Sequence, residues 1–160
     1  NKTMCYYKNM KTTWNWIQKN ALHLALIQAV VATVGSLYFS DVKGYTPCVL
    51  CWYQRICMYS LVPILLIGFF RGDQKVYHFV TPLAFLGWLI ALYHNLLYIG
   101  FIKNPESCSY GVSCTSKYVE YLGFLTIPMM SFIAFSVIVV LSIIYRRWLR
   151  KVSLPVKMVQ

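Results

Sequence analysis

Residues 45–55 read Tyr-Thr-Pro-Cys-Val-Leu-Cys-Trp-Tyr-Gln-Arg and lead into an apolar run over residues 52–70. Two cysteines separated by two residues stand at the start of this run, and Arg55 lies four residues beyond the second one. About 20 consecutive apolar residues are enough to cross a bilayer as a helix. A backbone in lipid must satisfy its own polar groups, which favours a helix over a strand. The stretch therefore predicts a membrane-spanning helix with two cysteines at its start.

The composition extends this prediction to the whole chain. Hydrophobic residues make up 59% of the 160 residues and charged residues 12%, whereas a soluble domain carries about 25% charged residues. Four apolar runs predict spans at residues 20–40, 52–70, 76–100 and 122–145. We expect Pro63 and Pro128 to interrupt the second and fourth spans. The sequence thus predicts an all-α integral membrane protein, a four-transmembrane-helix bundle that forms one membrane domain over residues 1–160.

The first run is longer than the apolar core of a signal peptide, and no small-residue cleavage site ends it. We therefore expect it to be retained as a span. The loops that follow from this topology are residues 41–51, 71–75 and 101–121.

The net charge of +11 is unevenly distributed between these loops. Eleven basic residues fall before the first run, between the second and third, or after the fourth, and they are Lys2, Lys8, Lys11, Lys19, Arg71, Lys75, Arg146, Arg147, Arg150, Lys151 and Lys157. Loops 41–51 and 101–121 carry only Lys43, Lys103 and Lys117. Because positive residues mark the cytoplasmic side, both termini are predicted to be cytoplasmic and these two loops to lie outside. Topology accounts for the charge, so no nucleic-acid partner is predicted.

The predicted topology sorts the cysteines by compartment. Cys48 and Cys51 fall in the first outer loop and Cys108 and Cys114 in the second, where disulfides persist, whereas Cys5 is cytoplasmic and no role is predicted for it. The two pairs are compatible with structural staples, a four-cysteine zinc site or disulfide exchange. The Cys-x-x-Cys spacing is common in redox proteins. Zinc sites usually have two cysteine pairs, each with two to four intervening residues, and here only Cys48 and Cys51 have that spacing. The sequence favours exchange and leaves the other two interpretations open.

Pro47 suits the start of a helix, which places the start of the second helix between Cys48 and Trp52. Cys51 would then lie in the first turn, where unpaired N–H groups and the helix dipole favour a thiolate. Arg55 follows Cys51 by four residues, so the two side chains share a face. Cys57 is turned away from that face and is predicted to be a small buried hydrophobic residue.

Arg55 and His94 are the ionisable residues predicted near the outer ends of the second and third spans. Arg55 can snorkel to the membrane surface, and His94 can face lipid headgroups. Alternatively, an ionisable residue inside a membrane marks a functional site. An electron acceptor that is soluble in lipid and becomes negative as it is reduced, such as a quinone, would use both a thiolate and a cation.

The combined pattern resembles the disulfide bond formation protein B (DsbB) family over residues 20–145. The resemblance rests on Cys48-Val-Leu-Cys51 followed by Arg55, on Tyr93-His94, on the pair Cys108 and Cys114, and on Tyr121-Leu-Gly-Phe-Leu-Thr-Ile-Pro128. The close spacing of the second pair is similar to the shorter Gram-positive branch, the BdbC-type thiol–disulfide oxidoreductases.

The resemblance implies a protein of the bacterial cytoplasmic membrane that reoxidises an extracytoplasmic thioredoxin-fold thiol oxidase of the DsbA type. Electrons would pass to a membrane quinone, with menaquinone favoured over ubiquinone. The implied roles are a mixed disulfide with the partner at Cys108, exchange between Cys114 and Cys48, a quinone-facing thiolate at Cys51, and a quinone site lined by Arg55 and His94.

Two alternatives stay open. A vitamin K epoxide reductase-like quinone reductase also combines a short helical bundle with outer-loop cysteines, but its quinone-facing Cys-x-x-Cys follows the loop pair, whereas here it precedes the pair. A non-enzymatic membrane scaffold stapled by two disulfides is the other alternative.

Overall fold

The computed structural model describes the backbone of residues 2–101 and 126–153, and the side chains of residues 13–101, apart from Gln74, and 126–152. The elements are α1 (Lys2–Leu37), which continues as a π-helical turn (Tyr38–Val42), α2 (Val49–Arg71), a 3-10 turn (Gln74–Val76), α3 (Tyr77–Tyr98) and α4 (Ile127–Ser153). Each of the four α-helices is long and apolar enough to cross a membrane. The all-helical prediction is confirmed for these residues, which contain no strand.

The helices begin and end at different residues from the predicted spans. The candidate spans in the structure are Thr13–Val42, Val49–Arg71, Tyr77–Tyr98 and Ile127–Val152. The first and last helices run past the apolar runs because lysine and arginine are good helix formers in water and do not end a helix. The start of the second helix is confirmed, since Cys48 caps it.

The fourth helix begins later than residue 122. The carbonyl of Thr126 accepts the N–H of Met130 at 3.0 Å, which marks the first turn of α4. Pro128 therefore lies in that first turn, where its missing N–H costs nothing. The expectation that Pro128 interrupts the span is wrong, whereas Pro63 does lie inside α2. Residues 122–125 of the predicted span lie outside the described residues.

The four helices pack in a ring, with α1 against α2, α2 against α3, α3 against α4, and α4 against α1. Phe135 and Ile138 of α4 are fully buried at the centre, together with Leu61 of α2 and Val80 of α3. A Cβ atom added at Gly87 would collide with the ring of Phe135, so glycine permits the close approach of α3 and α4.

Four helix ends lie together at the end of the bundle that carries the first cysteine pair. The end of α1, the start of α2, the end of α3 and the start of α4 are neighbours, because consecutive helices run in opposite directions. The Arg55 guanidinium donates from α2 to the carbonyl of Ser36 on α1 at 3.0 Å. The Asn95 amide donates from α3 to the carbonyl of Pro128 on α4 at 2.9 Å. These bonds tie together the end of the bundle that carries the first cysteine pair.

Candidate active site

The start of α2 is built around the Cys48–Cys51 pair. Cys48 is the N-cap residue, with φ −72° and ψ 171°, and its sulfur accepts the N–H of Cys51 at 3.4 Å. The two sulfurs are 2.9 Å apart and both residues are free cysteines. The two sulfurs are therefore in direct contact, as disulfide exchange within a Cys-x-x-Cys pair requires.

The hydrogen bonds around the Cys48 sulfur lower the pKa of this thiol. Hydrogen bonding to the Cys51 side chain is the largest cause, and hydrogen bonds from the His94 ring and the Cys51 N–H add to it, while burial opposes it; together they lower the pKa from 9.0 to about 4. The lowered pKa favours the thiolate form of Cys48, which is the reactive form of the residue. The sequence predicts a stabilised thiolate at Cys51. In the structure the Cys51 N–H is donated to the sulfur of Cys48, because Cys48 is the capping residue of α2.

His94 approaches the same sulfur from α3. Its ring is almost completely buried, with 1% of its surface exposed. Nε2 lies 3.9 Å from the Cys48 sulfur, and Nδ1 lies 3.2 Å from the amide nitrogen of Gln54. A Gln54 amide that donates to Nδ1 leaves the ring proton on Nε2, where it can be donated to the thiolate. The alternative that His94 faces lipid headgroups is wrong, because the ring is inside the bundle.

Gln54 is the site residue that the sequence argument missed. It is buried, with 6% of its surface exposed, and it connects α2 to α3 through His94. Two signals in the sequence point to it. It follows Cys51 by three residues, which places it on nearly the same helix face, and it is an amide inside an apolar run, where polar side chains need a partner.

Arg55 lies one turn beyond Cys51 and is held between two helices. One guanidinium nitrogen donates to the Ser36 carbonyl at 3.0 Å, and the guanidinium carbon lies 5.6 Å from the centre of the Trp52 ring. That carbonyl lies just before the π-helical turn Tyr38–Val42 and also accepts the Ser40 hydroxyl at 3.5 Å. A guanidinium carries five N–H donors, so this bond leaves donors for a further acceptor.

A cavity of about 300 Å³ opens beside the cysteines and is lined by all four helices. Its polar lining includes Cys48, Cys51, Gln54, Arg55 and His94, and most of the remainder is apolar. Ligand pockets of small molecules start at about this size and combine an apolar wall with a few placed polar groups. The cavity can hold an apolar ring beside two sulfurs and a fixed positive charge.

The structure thus brings together four of the residues predicted from the sequence, namely Cys48, Cys51, Arg55 and His94. Cys57 is buried in the bundle core and does not line the cavity, as expected. The predicted second pair, Cys108 and Cys114, lies outside the described residues.

Comparisons with known proteins agree on one family. The family model described as "Disulfide bond formation protein DsbB" matches residues 18–145. The chain is 42% identical over 120 residues to "Disulfide bond formation protein C" of Bacillus subtilis (strain 168), a match that covers 74% of this chain and 87% of the relative. It is 42% identical over 126 residues to "Probable disulfide formation protein C 2" of Bacillus cereus (strain ATCC 10987 / NRS 248), which covers 79% and 91%.

A more distant relative is "Probable disulfide formation protein" of Metapseudomonas resinovorans, 37% identical over 137 residues, with 84% of this chain and 92% of the relative covered. No solved structure matches the chain.

Proposed function

The chain belongs to the DsbB family of disulfide bond formation proteins, a family of membrane proteins, and on that premise we propose that it passes electrons from an extracytoplasmic dithiol protein to a membrane quinone. Its family and its four apolar helices make it a multi-pass membrane thiol–disulfide oxidoreductase. Family membership also favours this reaction over the vitamin K epoxide reductase-like and scaffold alternatives. The observation that carries the proposal is the Cys48–Cys51 pair at the wall of an apolar cavity that also holds Arg55.

We place the protein in the bacterial cytoplasmic membrane, with both termini inside and the two cysteine pairs outside. The concentration of basic residues in three of the five non-spanning segments supports this orientation. An oxidising compartment is also where cysteine pairs cycle through disulfides. An impermeant thiol reagent added to intact cells should then label reduced Cys108 and leave Cys5 unlabelled. Labelling of Cys5 alone would invert the orientation.

The partner would be a thioredoxin-fold thiol oxidase of the DsbA type. Its thiolate attacks the Cys108–Cys114 disulfide at Cys108, forming a mixed disulfide and releasing the Cys114 thiolate. The second partner thiol then attacks the partner sulfur of the mixed disulfide and releases Cys108. The partner leaves with a disulfide, and the loop pair holds the two electrons as a dithiol.

The loop pair would next reduce the pair at the start of α2. The Cys114 thiolate attacks Cys48 in the Cys48–Cys51 disulfide and releases Cys51. Cys108 then attacks Cys114, and Cys48 leaves as a thiolate. A thiol leaves faster when its pKa is lower, so the lowered pKa of Cys48 favours this second step. The Cys108–Cys114 disulfide is restored, and the electrons now lie on the dithiol beside the cavity.

The cavity residues fit a quinone as acceptor. The wall is mostly apolar, which suits a ring with a lipid tail, and Arg55 is a cation that can hydrogen-bond a carbonyl oxygen and stabilise negative charge there. A quinone bound there would take two electrons from the pair, which would become a disulfide, and two protons, one from the Cys51 thiol and one from solvent. His94, hydrogen-bonded to Cys48, is placed to hold a proton released by the dithiol. Resemblance to the Gram-positive branch favours menaquinone over ubiquinone.

The test is quinone reduction by the full-length protein in lipid nanodiscs, with a reduced DsbA-type protein as the electron donor. We expect Cys51→Ala to abolish reduction of a soluble menaquinone analogue and Cys57→Ala, which changes a cysteine outside the cavity, to leave it unchanged. Full activity of Cys51→Ala would overturn the proposal.

A trapping experiment tests the partner separately. A partner variant that keeps only its attacking cysteine has no second thiol to release Cys108, so its mixed disulfide with the oxidised, unmodified chain should accumulate. The double variant Cys108→Ala/Cys114→Ala is the control and should show no such complex. A complex that persists in the control would assign the contact to another cysteine.

A further inference from the structure

Three metal-binding side chains converge at the start of α2. The sulfurs of Cys48 and Cys51 and a ring nitrogen of His94 all lie within 4.8 Å of one another. Zinc binds thiolate sulfur at about 2.3 Å and imidazole nitrogen at about 2.0–2.1 Å, so ligand atoms around one ion lie about 3.5–4 Å apart. The Cys48 sulfur and His94 Nε2 are already 3.9 Å apart. The two sulfurs, at 2.9 Å, need only a small rotation of one side chain to separate to this distance.

From this convergence we propose that the reduced Cys48–Cys51 pair and His94 form a binding site for one thiophilic divalent cation of the zinc type. Two thiolates and one imidazole are the ligand set of a zinc site that keeps one coordination position open. The site is on the enzyme itself and does not depend on which quinone or partner the protein uses. It differs from the four-cysteine zinc site that the sequence left open, because it uses one cysteine pair and His94.

Gln54 supplies the outer contact that a metal-binding histidine needs. A histidine that coordinates through Nε2 carries its proton on Nδ1 and usually donates it to a neighbouring acceptor. Gln54 faces Nδ1 at 3.2 Å, and its amide presents either a nitrogen or an oxygen after a half-turn. With the amide nitrogen toward the ring, Nε2 is a donor to the thiolate. With the oxygen toward the ring, Nε2 is free to bind the cation.

The cavity provides the open position. Cys48, Cys51 and His94 line the same space as Arg55, so a water molecule or an anion there can complete a tetrahedral site. Two thiolates and a divalent cation are neutral together, and the positive charge of Arg55 favours an anionic fourth ligand. The surroundings are thus compatible with a bound cation despite the nearby guanidinium.

Binding depends on the redox state of the pair. A disulfide lacks the two thiolate ligands, and the dithiol gains the cation by releasing its remaining thiol protons. The cation must leave before the two sulfurs can bond to each other. It would therefore hold the enzyme in its reduced form and stop turnover, until a chelator removes it.

The test uses Cd²⁺ as a spectroscopic probe on full-length Cys108→Ala/Cys114→Ala protein in nanodiscs, a background that removes the second pair. We expect one Cd²⁺ per reduced chain, detected by sulfur-to-metal charge-transfer absorption and displaced by Zn²⁺. Affinity should fall more than about 100-fold when the pair is oxidised, because two ligands are lost. Equal binding by the oxidised and reduced protein would overturn the proposal.

Variants then identify the third ligand. His94→Gln should weaken binding at least about tenfold, and Gln54→Leu should weaken it about 10–100-fold by removing the outer contact. His78→Gln is the matched control, because His78 is exposed at the start of α3 and should leave affinity unchanged. Equal affinities of the folded His94→Gln and His78→Gln proteins would exclude His94 as a ligand and overturn the proposed site.

Thermal unfolding of each variant shows whether weaker binding comes from a lost ligand or from a lost fold. If His94→Gln and Gln54→Leu both unfold, X-ray absorption at the zinc edge is measured on the protein that retains His94 and Gln54, and it identifies the ligands directly. Two sulfurs and one imidazole around zinc would support the site, and a two-sulfur site without imidazole would refute it. Because these measurements need no quinone or partner, their failure is distinguishable from failure of the proposed function.

Discussion

We predict that Cys48 reacts as a thiolate at neutral pH, and that removing one of the side chains that lower its pKa raises this pKa again. The Cys51 side chain is the largest cause of the lowered pKa of Cys48, through a hydrogen bond between the two side chains. One hydrogen bond to a charged group contributes about 1.5–3 kcal/mol. Removing the Cys51 side chain, the largest cause, should therefore raise the pKa of Cys48 by at least about 1–2 units.

The assay is the rate of Cys48 modification by a thiolate-specific reagent, followed from pH 3 to pH 10 by peptide-resolved mass spectrometry of the reduced protein. In the unmodified chain the rate should be constant from neutral pH down to the region of pH 4 and fall about tenfold per unit below it. In Cys51→Ala the fall should begin at a higher pH. His94→Gln should give a smaller shift in the same direction, because its hydrogen bond is a lesser cause.

The same shift predicts a stability effect with a definite sign. A thiol whose pKa is lowered on folding stabilises the folded state fully above its unfolded pKa near 9, and this contribution is lost as the pH falls through the folded pKa of about 4. The reduced protein should thus lose stability on acidification toward pH 4 more steeply than Cys48→Ala. A midpoint of Cys48 modification near pH 9 in the unmodified chain, or no change in Cys51→Ala, would refute the assignment of the thiolate.

Two further predictions concern the cavity and the bundle. Arg55→Gln should lower the rate of quinone reduction about 10²–10³-fold, because it removes a charged donor at the proposed site of developing charge, and Arg55→Lys should retain part of the rate; wild-type rates in Arg55→Gln would remove the guanidinium from the mechanism. Gly87→Ala should destabilise the bundle by about 1–3 kcal/mol, because the new methyl group collides with the ring of Phe135. Gly35→Ala is the control, since no atom lies within 4 Å of a Cβ added there, and equal unfolding of the two variants in detergent would contradict the packing argument.

The helices were predictable because each one appears in the sequence as a single long apolar run. An apolar run of the length of a bilayer identifies a span without knowledge of its neighbours, and Pro47 fixed the start of α2 to within a few residues. The ends of α1 and α4 were not predictable in this way. Hydropathy reports where a helix leaves lipid, whereas the helix itself continues until a cap or a breaking residue ends it.

The site was predictable only where one helix carries the pattern. Cys51 and Arg55 share a face of α2 by spacing alone. The contact between Gln54 and His94 joins positions 40 residues apart in the chain, and it depends on how α2 and α3 are rotated against each other. The Cys48 sulfur, and not the Cys51 sulfur, accepts the backbone N–H at the helix start, and this depends on the dihedral angles of the capping residue. Neither can be obtained from spacing.

The hydrogen bond from Asn95 to the Pro128 carbonyl has a consequence for how this protein can vary. The bond fastens the end of α3 to the first turn of α4, so the two points from which residues 102–125 depart are fixed to each other independently of what connects them. Each doubling of a flexible connection adds only about 0.6 kcal/mol of closure cost. A different segment grafted between residues 101 and 126 should therefore leave the contacts around Cys48 and Cys51 intact.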